Sequence, residues 1–269
     1  VEASIPAHAV ETVALPPVEV AASALVDRHE LSVGFRGAGG SATRSSDQSG
    51  SGSGDPSGGR SGPKSAGRAP STTEPVTVVD RDAAALPALT VYAEGAFAAR
   101  LARAGVSVTH DLSTEVDVAF TRDLTDEFDR FAARGGTVVH VPDEYGRMHG
   151  GGPFSYRSLP ESESWVGVAG LFYRCSPLLA DVTSDRRLGW AFEDVYPTMV
   201  ATDADPDRDQ VHVGYVEGGL HNSASPLVVR EYGDGTVAAL TFRVPETYGT
   251  QPVATLLCDR LVAALTDDP

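Results

Sequence analysis

Two cysteines, seven histidines and 37 acidic side chains are the groups in this 269-residue chain that could cleave a bond or hold an ion. A thiol attacks only as the thiolate, so its neighbours decide its chemistry. Cys175 follows Arg174, whose charge would lower a thiol pKa, but it precedes Ser176-Pro177 and does not open a helix from a strand. Cys258 lies between Leu257 and Leu261 in an apolar stretch. Neither fits a nucleophile elbow of the G-x-C-x-G or G-x-S-x-G kind, and two distant cysteines make neither a metal motif nor a disulfide framework. Both read as buried free thiols.

Among the carboxylates, Asp143 and Glu144 are the best placed. They follow the apolar run Thr137 to Val141, and ligands in open α/β sheets bind beyond the carboxyl ends of strands. Glu193, in WAFEDVYP, lies among aromatics of the kind that stack on a sugar ring. Glu217 and His221 stand on either side of a Gly-Gly turn, at strand ends. The run Asp203 to Asp209 lacks the central Gly and distal Glu of a calcium loop, so it reads as a solvated turn. His140, His149, His212 and His221 form no H-x-H or H-x-x-x-H ligand set. His140 and His212 fall inside strand-like runs and read as satisfied core or interface residues. Lys64 is the one lysine, which excludes a phosphate-loop lysine elsewhere, and no glycine-rich stretch matches a dinucleotide fingerprint. The expectation is no catalytic residue, no cofactor and no metal, with Asp143, Glu144, Glu193, Glu217 and His221 as candidate ligand contacts.

The elements that must position these groups are organised around Val116 to Pro142. Val116, Val118 and Phe120 alternate as in a strand, and Thr121 or Asp123 can cap a helix. Leu124, Phe128, Phe131 and Ala132 recur at helical spacing, Gly135-Gly136 ends the helix, and Thr137 to Val141 is an apolar strand. This is one β-α-β unit of an open sheet. Upstream, Val76 to Val79 and Leu89 to Tyr92 compete to be the first strand, and Gly95 to Ala104 reads as a helix before a strand at Val106 to Thr109. Trp165 to Tyr173 reads as a helix or an inward-packing loop. Met199 to Thr202 and Val211 to Val216 read as strands, Leu227 to Tyr232 and Thr236 to Phe242 as a hairpin about Gly233-Asp234-Gly235, and Pro252 to Leu265 as a closing amphipathic helix.

Composition sets the domain plan and the setting. Residues 1–35 look strand-like, with Pro6, Pro16 and Pro17 at edges and turns, and are too few to bury a sandwich core alone. Half of residues 36–75 are Gly or Ser, a composition that cannot offset its own chain entropy, so a disordered linker is expected there. Residues 76–269 form the α/β domain. The chain begins at Val1 and reads as a piece of something longer. The net charge is −16, with 22 Asp, 15 Glu and 20 of the 21 basic residues Arg, a balance expected of a protein from a salt-loving organism, the alternative being an ordinary acidic protein from a GC-rich genome. Such charge argues against nucleic-acid binding, and no apolar run approaches the length of a membrane span. A cytoplasmic location is expected.

DLTDEFDRFAARGGTVVHVP, REYGDGTVAALTFRVPET and the closing Pro252-Val253-Ala254-Thr255-Leu256-Leu257 together resemble a class I glutamine amidotransferase-like domain. They are most similar to the version at the carboxy end of glycoside hydrolase family 2 proteins, the β-galactosidase and β-glucuronidase group. The resemblance covers roughly Val76 to Leu265. It implies a flavodoxin-like, open and mostly parallel sheet with helices on both faces, preceded by the tail of a β-sandwich. It also implies catalytic barrel and sandwich domains of the same protein as partners, with carbohydrate and a second copy of the chain as further ones. A working amidotransferase carries its nucleophilic Cys in the turn that here reads Pro142-Asp143-Glu144-Tyr145. Its Phe-His-Pro-Glu-type motif here reads Phe242-Arg243-Val244-Pro245-Glu246, without the His. Acyl transfer then has neither nucleophile nor base. The resulting expectation is a non-catalytic accessory module of a glycoside hydrolase acting on β-glycosides. Its alternatives are a stand-alone hydrolase using Asp143, Glu144, Glu217 and His221, or a protein-interaction domain with an exposed apolar patch.

Overall fold

The computed structural model describes residues 26–34, 71–79, 86, 89–113, 115–142, 152–159, 171–183, 186–217 and 220–266, with backbone alone for 26–34, 71–79, 190 and 220–223. The chain divides into two compact units, Arg28–Val76 and the remainder, Val1–Asp27 with Thr77–Pro269. Strands β1 (Val26–Gly34) and β2 (Ser71–Val79) pair in a two-stranded sheet. Strand β2 thus begins within the stretch 36–75 that composition marks as linker. Most of the expected segments 1–35 and 36–75 lie outside the described residues.

The larger unit carries a ten-stranded mixed sheet with a few helices. Its first half is parallel: β3 (Thr90–Tyr92), β4 (Ser107–Thr109), β5 (Val118–Thr121), β6 (Thr137–His140) and β12 (Gly235–Leu240) lie in the spatial order β4-β3-β5-β6-β12. Beyond β12 the pairing turns antiparallel through β11 (Leu220–Tyr232), β10 (Gln210–Glu217) and β8 (Leu171–Arg174). The expectation of a mostly parallel sheet is therefore corrected. The Gly233-Asp234-Gly235 turn and the short β10–β11 connection are too brief for crossovers, so those strands must return antiparallel. The apolar run ending at Tyr173 is in part the edge strand β8, not a helix.

Alternation along the parallel strands assigns the two faces. Val91, Val118, Phe120 and Val139 point into one cluster with α1 (Gly95–Arg103) and the closing helix, here called α4 (Pro252–Thr266). Tyr92, Ala119, Val138 and Ala239 point into the other with Phe128 and Ala132 of α2 (Asp126–Ala133). Helices thus cover both faces, as expected. Leu256, Leu257 and Leu261 of α4 are fully buried, each worth roughly 2 kcal/mol of hydrophobic burial. Helix α2 starts at Asp126, later than either expected cap, because the Thr121 hydroxyl accepts from the Asp123 N–H (3.2 Å) and donates to the Asp123 carbonyl (2.8 Å), closing a turn first. The helix ends at Gly135, whose φ of 101° favours glycine. A side chain at Gly235 would strike the Gly136 carbonyl oxygen at 2.3 Å, so the hairpin turn and the end of α2 are built to touch.

Strand β11 outruns β12. Its last pairing with β12 is Leu227 to Leu240, and further along Ser225 pairs with Ala201 of β9 (Met199–Ala201). Strand β9 pairs in turn with β7 (Tyr156–Ser158), so a small antiparallel ladder sits where β12 has stopped. No helix among the described residues is long and apolar enough to cross a membrane.

Candidate functional site

The carboxyl ends of β5, β6 and β12 line up at one edge of the sheet, and a cavity of about 240 Å³ opens there. Arg122 follows β5, Val141 and Pro142 follow β6, and Thr241, Phe242 and Arg243 follow β12. Glu246 comes from a short helix, α3 (Val244–Thr247), and Thr198 from the turn before β9.

Buried hydrogen bonds fix this edge. His140, fully buried at the end of β6, meets the Arg122 carbonyl through Nε2 (3.0 Å) and the Tyr156 hydroxyl through Nδ1 (2.8 Å). A carbonyl only accepts, so Nε2 carries the proton and Nδ1 accepts from Tyr156. Burial holds the Tyr156 hydroxyl protonated far above its ordinary range. His140 is therefore the satisfied core residue expected, and it ties β6 both to the loop after β5 and to β7. On the other side, the Arg243 N–H donates to the Val195 carbonyl (3.0 Å), while the Arg243 carbonyl accepts from the Thr247 hydroxyl. The main chain is pinned at both arginines, and both residues line the cavity. Arg122 and Glu246 form an exposed ion pair at 3.4 Å.

Behind α3, Tyr248 donates to Asp259 of α4 (2.9 Å) in a buried contact, and the second Asp259 oxygen is buried without a hydrogen-bond partner. Burial pushes this carboxyl up to about 7, against the pull of the Tyr248 hydrogen bond. The Tyr248 ring packs edge-on against Phe97 of α1.

The expected ligand contacts do not gather in this cavity. Asp143 and Glu144 follow Pro142 in the chain but lie outside the described residues. Glu193 is exposed on the 3-10 segment Trp190–Val195, whose neighbouring Phe192 is buried. Glu217, at the end of β10, is paired with Arg157 of β7, and that guanidinium also lies 5.8 Å from the centre of the Tyr215 ring. His221 falls in β11. Sequence reasoning missed Arg122 and Arg243. The rule that singled out Asp143 and Glu144, a polar residue just past the carboxyl end of a strand, names these two as well when applied to β5 and β12.

Two further expectations change. Cys175 is exposed, not buried, because it follows the edge strand β8. Arg174 does not activate it: that guanidinium bonds the Thr183 hydroxyl and the Ser176 carbonyl, both at 3.2 Å, and although the residue is exposed, partial burial of its thiol pushes the pKa up. Cys258 is buried as expected. The run Asp203 to Asp209 is a turn with Asp203 and Asp207 exposed, as expected, but Asp209 at its end is not solvated. The Asp209 side chain is wholly buried and bidentate to Arg230, at 2.7 and 2.8 Å. Burial pushes the Asp209 carboxyl up, and the Arg230 and Asp205 hydrogen bonds more than offset this, leaving it below the ordinary value.

A second, more open cavity of about 550 Å³ lies between β10 and α4. There the Ser176 hydroxyl caps a short 3-10 turn by accepting from the Leu178 N–H (3.3 Å), and it meets His212 Nδ1 at 2.8 Å. Burial lowers the His212 pKa. The walls are mostly Pro, Leu and Ala, and Arg260 is bidentate to Asp181, both at 2.6 Å. Ser176 and His212 thus form a capping contact in an apolar trough. Among the described residues no group of three His, Cys, Asp or Glu could hold a metal ion.

No family model matches this chain, and no curated protein matches it. Among solved structures it is similar to a cytoplasmic protein from Salmonella typhimurium at 11% identity, over 73% of this chain and 91% of that one, with a TM-score of 0.40. It is also similar to a β-galactosidase from Bacillus circulans sp. alkalophilus at 12% identity, over 66% of this chain but 30% of that one, with a TM-score of 0.34. A ThuA-like protein from Bacteroides uniformis is similar at 11% identity, over 65% and 91% of the two chains, with a TM-score of 0.36.

Proposed function

We propose that residues 76–269 form a non-catalytic, carbohydrate-contacting accessory module of a glycoside hydrolase, built on a flavodoxin-like parallel half-sheet. The spatial order of that half, numbered along its own strands, is 2-1-3-4-5, the doubly wound order of flavodoxin-like sheets. One observation carries the reading. The cavity at the carboxyl edge offers arginines, threonines and a carboxylate for recognition, while the turn that would hold an amidotransferase nucleophile begins with Pro142 and contains no Cys, Ser or Thr. Both cysteines are elsewhere, at the end of β8 and inside α4. Asp143 and Glu144 lie in that turn and are proposed to accept hydrogen bonds from sugar hydroxyls. The parent protein's barrel and sandwich domains supply the chemistry in this reading, and the module sits in a haloarchaeal protein.

The hydrolase alternative needs Glu217 free to act, and Arg157 already holds it. The interaction-domain alternative needs an apolar patch, and among the described residues Leu171 is the exposed large hydrophobic side chain. The test is turnover of aryl β-glycosides by the purified chain. No release of the aryl group is expected. Hydrolysis that is lost in Asp143→Asn or Glu144→Gln would overturn the reading.

A further inference from the structure

We propose that the strap of residues 243–251, which carries Pro245 and Glu246 to the carboxyl-edge cavity, is a pH-sensitive latch: it stays closed while Asp259 is protonated and opens more readily once Asp259 has lost its proton. Such a latch works whether or not the cavity takes a sugar. The strap joins β12 to α4 and is fixed at both ends. Its upstream end is held by the Arg243 N–H on the Val195 carbonyl (3.0 Å). Its downstream end is held by Gln251, whose side chain donates to the Ala191 carbonyl (2.9 Å) and accepts from the Ala254 N–H (2.8 Å). Between these ends two bonds tie it to α4: the Tyr248 hydroxyl donates to Asp259 Oδ1 and the Gly249 N–H to the Thr255 hydroxyl, both at 2.9 Å. Gly249 holds a φ of 76° in open space, a hinge position beside both bonds. Val244 and Tyr248 are buried, so opening is a rare excursion, and its frequency is what the acid sets.

Asp259 is 6% accessible, with one donor on Oδ1 and an Oδ2 that is buried with none. A carboxylate so placed has given up its water for a single hydrogen bond, whereas the protonated acid carries no charge to solvate. Ionisation strengthens the Tyr248 bond, but burial outweighs it, and the acid keeps its proton up to about pH 7. The titratable groups that interact with it are Tyr248 of the strap and Cys258 of α4 itself, both held neutral by burial. Of the other elements packed on α4, the segment Trp190–Val195 presents Glu193 and Asp194 to solvent, and the turn Pro177–Leu179 carries no charge. Helix α1, which meets Tyr248 through Phe97, has its charges at Glu94, Arg100 and Arg103, none of them buried. Arg260, next along α4, is committed to Asp181 and the Leu178 carbonyl. Among the described residues no cation therefore compensates an ionised Asp259. Moving Tyr248 aside admits water and returns the carboxyl toward its ordinary 3.8. Between that value and about 7 the closed strap binds the proton and the open strap releases it, so rising pH favours opening.

The experiment is amide hydrogen exchange of the whole chain, resolved by NMR from about pH 5 to pH 8, on the parent, Asp259→Asn and Tyr248→Phe. Protection factors, which remove the intrinsic pH dependence of exchange, give the opening constant of each amide. The Tyr248, Gly249 and Gln251 amides should open through the strap, with protection well below that of Val138 and Val139 in β6. Their opening constant should rise about tenfold per pH unit from about pH 5 and level off past about pH 7. Asp259→Asn should hold it constant over the whole range. Tyr248→Phe keeps the acid and deletes the hydroxyl, so it should raise the opening constant at every pH. Strap protection that does not vary with pH overturns the latch. So does protection equal to that of β6, which means opening only with the whole fold. A pH dependence that persists in Asp259→Asn, or a strap no looser in Tyr248→Phe, overturns it as well. If the Asn variant does not fold, the carbon-13 shift of the Asp259 carboxyl in the parent decides. A titration midpoint above about pH 6, shared with the Tyr248 amide, upholds the latch, and a lower one overturns it.

Discussion

Arg230 in the antiparallel half and Arg243 at the edge of the parallel half are the same side chain in opposite circumstances. Arg230 is 12% accessible, bidentate to a wholly buried Asp209, bonded to the Asp203 carbonyl at 2.9 Å, and stacked 4.5 Å over Phe154. Every strong donor direction ends on the protein itself. Arg243 has its backbone tied down and lines a cavity. The first arrangement holds a loop in place, and the second leaves a side chain with no hydrogen bond or ion pair among the described residues. In an acidic chain rich in carboxylates, then, the informative charge is the one the protein has positioned but not satisfied.

The comparison breaks most visibly at Arg230. Arg230→Ala leaves Asp209 buried without its cation, and unfolding in urea should show a loss of about 3–5 kcal/mol. A loss under 1 kcal/mol would mean that the pair is replaced by water and does not hold the 202–209 loop.

Asp259 tests the same contrast through pH. Its folded-state carboxyl is raised to about 7 from an ordinary 3.8, so between those values the folded chain binds more of this proton than the unfolded chain does. This group's contribution is therefore present at pH 4 and declines toward pH 7, by up to roughly 1.4 kcal/mol per pH unit. Asp259→Asn should match the parent near pH 4 and gain on it steadily to pH 7, with the difference constant above. A difference that does not change with pH would remove Asp259 from the account.

A smaller effect is expected at the roof over β6. Tyr156→Phe deletes the hydroxyl that donates to His140 Nδ1, and thermal unfolding should report a loss of about 1 kcal/mol. The smallest effect belongs to Arg243→Ala, which should leave stability within about 0.5 kcal/mol of the parent. A larger loss would make Arg243 a structural residue and erase its contrast with Arg230.

How far the chain was readable from sequence follows the same division. The parallel half could be read because neighbouring residues carry its signals: alternation at Val118 to Phe120, helical spacing from Leu124 to Ala132, and Gly135 at the helix end. The hairpin β11–β12 was readable from Gly233-Asp234-Gly235 alone. Met199 to Thr202 was readable as a strand, but its pairing with β7 was not, since partners such as Tyr156 and Ala201 are distant in sequence, and acids in so acidic a chain, such as Glu217 on Arg157, look alike until a partner is seen. Asp209 was misread as solvated for that reason. Cys175 was misread as buried because edge and central strands share the same apolar pattern, and only pairing order separates them. At the candidate site the rule for strand ends was sound but was applied to carboxylates and not to Arg122 and Arg243.

The most direct measurement is an amide-resolved NMR titration of the chain with galactose, with the same sample assayed for turnover of an aryl β-galactoside. The account predicts shifts centred on Arg122, Thr241, Arg243 and Glu246, little change around Arg230 and Asp209, and no product. Shifts centred on Ser176 and His212, or product formed while the Arg122–Arg243 edge stays silent, would contradict it.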